Sequence, residues 1–223
     1  MKSHQTPSDA LLGSLVMLAL IISIPAAAEG NRYKLPRAYQ ADVSPAAAYL
    51  EQQRDARTVI IDVRTIGEFV AGHAPQTYSI PFPRILGTSK DDPAYVEMSA
   101  EDFLAEVSRR FPDHSTPIIA MCSHGMRSAA AANVLAKAGY TSVRSVFTGY
   151  VGRPVQDIDG TPVDANNNGV IHGVTKDADG KVLQDPGDLD GWAGFNQLPV
   201  TRDIDPSRIL QRLKAEYKAQ PSK

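Results

Sequence analysis

Residues 117–140 read PIIAMCSHGMRSAAAANVLAKAGY, and they contain the clearest local signals of the fold. The short apolar run 118–121 predicts a buried strand, and the alanine-rich segment after Gly125 predicts a helix. Cys122, the only cysteine of the chain, lies in the turn between them. The sequence therefore places one thiol at the point where a buried strand passes into a helix.

The loop after Cys122 is predicted to form a cradle for an anion. Successive backbone N–H groups can point inward, and the N-terminal end of the helix adds partial positive charge. That charge and Arg127 stabilise a thiolate, which is the reactive form of cysteine. A purely structural role is the alternative, because free cysteines are among the most buried residues. We favour a reactive thiol because Gly125, Arg127 and Ser128 accompany it.

The segment 122–128, CSHGMRS, resembles the active-site loop of the rhodanese family, in which Cys-x-x-Gly-x-Arg/Thr/Ser is followed by Ser and a helix. A second block at 59–82, VIIDVRTIGEFVAGHAPQTYSIPF, resembles the opening strand and loop of that family. Gln76 and Thr77 stand where the family usually has Gly-Ala, in a turn. The resemblance covers 43–150 and a short return near Trp192.

This resemblance implies an α/β fold, doubly wound, with a mainly parallel sheet and helices on both faces. It also implies a sulfurtransferase that moves sulfane sulfur from thiosulfate or a similar donor to a thiol acceptor through a persulfide on Cys122, the catalytic residue. No cofactor is required. The candidate substrate-binding residues are Ser123, His124, Gly125, Met126, Arg127, Ser128 and Arg64.

Two other functions are compatible with such a fold. Phosphatases among the relatives have five residues between cysteine and arginine, whereas four separate Cys122 from Arg127, and the shorter loop is cramped for a tetrahedral oxyanion. The alternative that stays open is a sulfur carrier or binding module that does not turn over. Repeated transfer of sulfur would distinguish an enzyme from a carrier.

Arg64 and Asp62 flank the end of the predicted strand 59–63. Residues at the carboxyl ends of strands in an open α/β sheet can reach a ligand. The alternative is a structural ion pair, for example between Arg64 and Glu68, and we slightly favour it. His73 is interpreted as a satisfied structural histidine and is not assigned as a base.

Strands and helices alternate along the rest of this region, which predicts a sheet covered on both faces. Ser44 and Ser99 are predicted to cap helices, the second of which ends near Phe111. A further strand is predicted at 143–147, and Gly139 is predicted to end the helix of the cysteine loop. We expect a lead-in at 29–41, one domain at 42–205 and a C-terminal helix at 206–223.

The first 28 residues are predicted to be a secretory signal. Lys2 precedes an apolar run at 11–24, and Ala26 and Ala28 supply a cleavage pattern before Glu29. An uncleaved anchor is the alternative, but the run is shorter than the roughly 20 residues that span a membrane. We therefore expect a periplasmic or secreted protein with no stable membrane association. A net charge of −2 gives no reason to expect nucleic-acid binding.

Residues 152–190 form an insertion rich in Asp, Asn and Gly. Asp164, Asn166 and Asn168 match the first half of a calcium loop, which makes calcium a possible ligand. Position 12 of that loop is Thr175 instead of Glu, so another ligand such as Asp177 or Asp179 would be needed. Local turn formation is the alternative that we favour, since Asp and Asn often bond nearby backbone groups.

Overall fold

The computed structural model describes residues 36–87 and 89–220. Its centre is a five-stranded sheet in which every neighbouring pair is parallel, in the order β1-β7-β6-β2-β3. A separate antiparallel pair consists of β4 and β5. The strands are β1 Ala41–Val43, β2 Val59–Asp62, β3 Tyr78–Ser79, β4 Arg84–Leu86, β5 Val96–Glu97, β6 Ile118–Met121 and β7 Val143–Val146. The predicted doubly wound, mainly parallel α/β fold is confirmed.

Within residues 36–87 and 89–220, five α-helices accompany the sheet, at α1 Pro45–Arg54, α2 Ile66–Val70, α3 Ala100–Arg110, α4 Met126–Lys137 and α5 Lys214–Ala219. The Ser44 and Ser99 side chains accept hydrogen bonds from the first turns of α1 and α3, as predicted. Thr65 and Glu68 form a reciprocal capping box on α2. Gly139, with φ +95°, follows α4 and ends it as expected.

Alternation along β2 and β6 sends side chains to two separate cores. Ile61 and Ala120 face the larger core, which α2, α3, α4 and α5 cover. Ile60 and Ile119 face the smaller core, where Ala48 of α1 and Trp192 pack. Because successive side chains of a strand point to opposite faces, both faces of the sheet carry apolar side chains. Helices or returning chain cover both faces, and the central strand β6 is fully buried.

The prediction of one helix over 206–223 is wrong for the described part of that segment. Two single 3₁₀ turns, Pro206–Arg208 and Gln211–Leu213, precede the short α5. Between the turns Ile209 and Leu210 leave helical geometry and are buried in the larger core. Burial of these two side chains outweighs the local helical pattern.

The two ends of the segment 152–190, which is predicted to be an insertion, lie together. A Cβ added to Gly152 would lie 2.0 Å from the backbone nitrogen of Gly191, so the two runs of backbone touch. Two tight hairpins lie between them, at 155–163 and 175–183. Asp157 and Asp177 each accept two backbone N–H groups in the turn of their hairpin. The segment therefore leaves the domain and returns to it at the same place.

The signal peptide predicted at 1–28 lies outside the described residues, as does the first part of the predicted lead-in. Within the part of the chain that is described, none of the helices is long and apolar enough to span a membrane.

Candidate active site

Cys122 directly follows the central strand β6, and its sulfur is bound by the loop that leads into α4. The backbone N–H of Gly125 donates to Sγ at 3.0 Å. Gly125 has φ +99°, a left-handed conformation that glycine adopts at low cost, and it forms the N-terminal boundary of α4. The turn therefore directs a backbone donor and the N-terminus of a helix toward the sulfur.

A chain of hydroxyl groups lies behind the sulfur. Sγ is 3.5 Å from Oγ of Ser128, which in turn donates to the carbonyl oxygen of Gly125 at 2.9 Å. Ser145 on β7 donates to Ser128 at 3.0 Å. Both serines are fully buried, so this polar chain fixes the side-chain position of Ser128 next to Cys122.

Arg127 and Glu68 connect the cysteine loop to α2. The guanidinium donates to both carboxylate oxygens at 2.8 Å, and Ser123 Oγ donates to Oε1 at 2.7 Å. Burial alone would raise the pKa of Glu68, but Arg127, Ser123 and the backbone N–H of Thr65 hold that pKa well below its usual range. A bidentate pair of this kind fixes the orientation of both side chains.

Gly149 packs against the other side of the cysteine loop. A Cβ at this position would lie 2.3 Å from the carbonyl oxygen of Cys122, and φ is +76°. The next residue, Tyr150, donates its backbone N–H to the same carbonyl at 2.6 Å. The loop is thus held in place from the β7 side by backbone contact that only glycine permits.

Beside the thiol lies a cavity of about 610 Å³. Its lining combines three arginines with a histidine, a tyrosine and apolar groups. The lining residues are Pro83, Arg84, Tyr95, Cys122, His124, Met126, Arg127 and Arg153. None of these lining residues carries a carboxylate, so the charged side chains that line the cavity beside the Cys122 thiol are arginines.

Comparison with known proteins identifies the family. The family model described as a Rhodanese-like domain matches residues 46–152. Thiosulfate sulfurtransferase 18 of Arabidopsis thaliana is 32% identical over 110 residues, a match that covers 49% of this chain and 74% of the relative. The chain belongs to the rhodanese family. Thiosulfate sulfurtransferase 16, chloroplastic, also from Arabidopsis thaliana, is 37% identical over 92 residues, which cover 40% of this chain and 68% of the relative.

Two further similarities complete the comparison. The senescence-associated protein DIN1 of Raphanus sativus is 34% identical over 91 residues, which are 41% of this chain and only 45% of that relative. The crystal structure of Rv0390 from M. tuberculosis is 24% identical with a TM-score of 0.46, covering 74% of this rhodanese chain and 99% of the other.

Most of the predicted loop residues meet at the rhodanese site. Cys122, His124, Met126 and Arg127 line the cavity. The other three have supporting positions: Gly125 donates to the sulfur, Ser128 lies behind it, and Ser123 joins the Arg127–Glu68 pair. The predicted cradle of N–H groups therefore has one member, Gly125, in hydrogen-bond contact with Sγ among the described residues.

The assignment of Arg64 to substrate binding disagrees with its position. Arg64 is buried, pairs with Asp62 at 2.7 Å, donates to the carbonyl of Gly72 and stacks on the ring of Tyr150. It is not among the residues that line the cavity. The structural ion pair that we favoured is present, but Asp62 is the partner and not Glu68, because Glu68 binds Arg127.

His73 has the structural role that the sequence indicates. Its Nδ1 lies 3.0 Å from the carbonyl oxygen of Phe69, and the two rings stack with centroids 3.8 Å apart. Burial lowers the pKa of this histidine.

The residues of the calcium prediction form hydrogen bonds within the segment 152–190. Asp164 accepts two backbone N–H groups, while Asn166 and Asn168 donate their amides to Asp185. Across the described residues no group of three or more His, Cys, Asp or Glu side chains is arranged to hold a metal ion. Calcium binding stays a prediction, and the two backbone N–H groups that Asp164 accepts favour the turn interpretation for that residue.

The sequence analysis did not identify several residues that line the cavity or support the cysteine loop. Ser145 could have been found as a polar residue in the otherwise buried strand β7. Arg84 begins strand β4, and Tyr95 and Arg153 lie in irregular segments; all three are outside both motifs, where no spacing rule indicates a site. Only the folded chain brings them to the cavity.

Proposed function

We propose that this rhodanese-family protein is a sulfurtransferase that carries sulfane sulfur as a persulfide on Cys122. The observation that supports this most directly is the 3.0 Å hydrogen bond from Gly125 N–H to Sγ, at the edge of a cavity lined by positive side chains. Such a donor favours a negative charge on sulfur, both in the free thiolate and in the transition state of attack.

The proposed loading step uses thiosulfate or a similar donor. The Cys122 thiolate attacks the outer sulfur, the S–S bond of thiosulfate breaks, and sulfite leaves with the electron pair. The product is a Cys122 persulfide with one negative charge on its outer sulfur. A thiol acceptor then removes that sulfur and regenerates the thiolate, so the cycle needs neither a second cysteine nor a cofactor.

An exported location is part of the same proposal. It is supported by the apolar run at 11–24 followed by small residues at 26–28. Determining the N-terminal residue of the protein purified from separated cell fractions would test it. A chain that starts near Glu29 in the periplasm or medium supports export, and an intact N-terminus in the cytoplasm contradicts it.

Mass spectrometry of the reduced protein after exposure to thiosulfate tests the sulfur chemistry. We expect a gain of about 32 Da that cyanide removes and that the Cys122→Ser variant does not show. Steady-state transfer from thiosulfate to cyanide should then proceed for many turnovers.

Two results would change the conclusion. A folded, reduced protein that gains no sulfur contradicts thiosulfate sulfurtransfer. One equivalent of persulfide without turnover favours the carrier or binding module.

A further inference from the structure

We propose that Asn168 is a site of self-modification, at which the backbone nitrogen of Gly169 attacks the side-chain amide of Asn168 and ammonia is released. The asparagine becomes aspartate or isoaspartate. Asn168 is the only asparagine of the chain that is followed by glycine. The site lies in the segment 152–190 and involves neither Cys122 nor its cavity, so it does not depend on the proposed sulfur transfer.

The glycine leaves room for the attack. A ring closes when the backbone nitrogen of the following residue reaches Cγ of an asparagine, and a side chain on that residue obstructs the approach. Gly169 has no side chain, and a Cβ built on it would meet nothing within 4 Å. Asn168 and Gly169 are both exposed, so water can reach the ring and open it.

The carboxylate of Asp164 lies where the reaction needs a base. The N–H of Gly169 donates to Asp164 Oδ2 at 2.7 Å, and the N–H of Asn168 donates to Oδ1 at 3.0 Å. These two hydrogen bonds fix the carboxylate against the attacking nitrogen. An amide nitrogen is a poor nucleophile until its proton is withdrawn, and a general base must lie within hydrogen-bond reach of that proton. Asp164 meets this condition.

The side-chain amide of Asn168 is held at both of its polar atoms. Its Oδ1 accepts the backbone N–H of Val170 at 2.8 Å, and its Nδ2 donates to Asp185 Oδ2. When nitrogen attacks Cγ, negative charge develops on Oδ1, where the Val170 N–H stabilises it. The leaving nitrogen becomes more positive as it gains a proton, and the neighbouring Asp185 carboxylate favours that change. The turn therefore supplies a base, an oxyanion donor and a partner for the leaving group.

The reaction balances without an oxidant, a metal or a cofactor. The bond between Gly169 N and Asn168 Cγ forms while the N–H proton passes to Asp164. The bond between Cγ and Nδ2 then breaks, the proton moves from Asp164 to Nδ2, and ammonia leaves with the electron pair. Water from the solvent opens the resulting succinimide at one of its two carbonyl groups. The net change consumes water, releases ammonia and leaves a carboxylate in place of an amide.

This change removes a contact within the segment 152–190. Asn166 and Asn168 both donate their side-chain amides to Oδ2 of Asp185. After the conversion a second carboxylate lies beside Asp185 where an amide donor was, so repulsion replaces a hydrogen bond. We therefore expect the turn at 164–170 to separate from Asp185 as the protein ages.

The folded protein and its own unfolded chain provide the first test. The purified chain is incubated in buffer and in guanidinium chloride at the same pH and temperature, and digested samples are analysed by mass spectrometry. At Asn168 we expect a loss of about 17 Da in the succinimide and a gain of about 1 Da in the final products. Asn166 and Asn167, which lie in the same peptide but precede asparagine, should stay unchanged.

The rate decides between catalysis and protection by the turn. We expect conversion of Asn168 in the folded protein to be at least about tenfold faster than in the unfolded chain, because a positioned base contributes more than that in other reactions. A folded-state rate equal to or below the unfolded rate shows that the turn does not promote the reaction and overturns the proposal.

Two matched variants test the base. Asp164→Asn removes the carboxylate at the site, whereas Asp157→Asn removes one that accepts the backbone N–H groups of Asp159 and Thr161 in the neighbouring hairpin. In the folded protein we expect the first variant to lose about tenfold in rate and the second to match wild type. Neither should alter the rate in guanidinium chloride. Equal folded-state rates in the two variants overturn the role of Asp164.

The pH profile separates a base within the protein from hydroxide. In the unfolded chain hydroxide removes the N–H proton, so the rate should rise about tenfold per pH unit. Carboxylates are ionised throughout the range from about pH 6 to 8, so the folded-state rate should stay nearly constant there. A folded-state rate that follows hydroxide contradicts the proposal. Chain cleavage with Gly169 as a new N-terminus also contradicts it, because Nδ2 of Asn168 would then be the attacking atom.

Discussion

The carboxylate of Glu68 receives two hydrogen bonds of 2.8 Å from the guanidinium of Arg127, a residue 59 positions later in the chain. The two residues belong to different motifs, since Glu68 lies on α2 after strand β2 and Arg127 lies in the cysteine loop. The pair therefore ties the position of the loop to the first half of the domain. Glu68 is a positioning residue that acts through Arg127 and Ser123.

We expect Glu68→Gln to slow persulfide loading about tenfold, because Arg127 loses its charged partner and the loop loses its fixed orientation. The matched control is Glu51→Gln, which breaks the Glu51–Arg144 pair. The two pairs have similar exposure, with 33% and 16% for Glu51 and Arg144 against 32% and 18% for Glu68 and Arg127. Both variants should lose comparable stability in urea, and only the first should lose loading rate. Equal loading rates would refute the positioning role.

The stability that this pair contributes should depend on pH in a defined direction. The pKa of Glu68 is lower in the folded protein than in the unfolded chain, so the contribution is present above the unfolded value of about 4.3. It is lost as the pH falls through the lower folded value. The difference in free energy of unfolding between wild type and Glu68→Gln should stay constant from pH 7 to about 5 and shrink below about 4. A difference that already declines between pH 7 and 6 would contradict the lowered pKa.

Replacement of Arg64 should affect stability and not chemistry. Arg64→Met leaves the fully buried Asp62 carboxylate without its cation, at a cost of about 3–5 kcal/mol. The double variant Asp62→Asn/Arg64→Met should recover part of that loss. Denaturant unfolding measures both, and the folded protein should take up sulfur at the wild-type rate. A stable Arg64→Met protein with a raised KM for thiosulfate would instead restore Arg64 as a binding residue.

Two glycines allow a direct test of the contact behind Cys122. Gly149→Ala and Gly160→Ala place a side chain at similar positive φ, +76° and +83°, and each costs about 1–2 kcal/mol for that reason. A Cβ at Gly160 meets nothing within 4 Å, whereas a Cβ at Gly149 meets the carbonyl of Cys122 at 2.3 Å. We expect Gly149→Ala alone to lower the loading rate, and its loss of stability should be the larger. Identical loading rates would show that this contact does not position the thiol.

The strand–cysteine–helix unit could be predicted because its signals are local. The apolar run Ile118–Met121, the loop glycine and the alanine-rich segment all predict a buried strand followed by a turn and a helix. The fold confirms these three elements. The turn at Gln76 illustrates the same logic. Gln76 has φ +61° and occupies a place where the family usually has glycine, so the departure seen in the sequence coincides with backbone strain.

The features that could not be predicted depend on contacts between distant parts of the chain. Nothing near Glu68 in the sequence indicates Arg127 instead of Arg64 as its partner. Arg64 follows β2 and Arg127 lies in the first turn of α4 after β6, and only the sheet brings β2 and β6 side by side. The prediction of one helix in the C-terminal segment is wrong for a related reason. Its apolar spacing fits a helix, but Ile209 and Leu210 reach the core only in extended conformation.

The contact between Gly152 and Gly191 makes the segment between them a loop whose two ends are already held together. For such a loop, doubling the number of residues costs only about 0.6 kcal/mol of chain entropy. The sheet and the cysteine loop consequently depend little on the length or content of 155–188. We therefore expect that a foreign peptide could be grafted at this junction without rebuilding the domain.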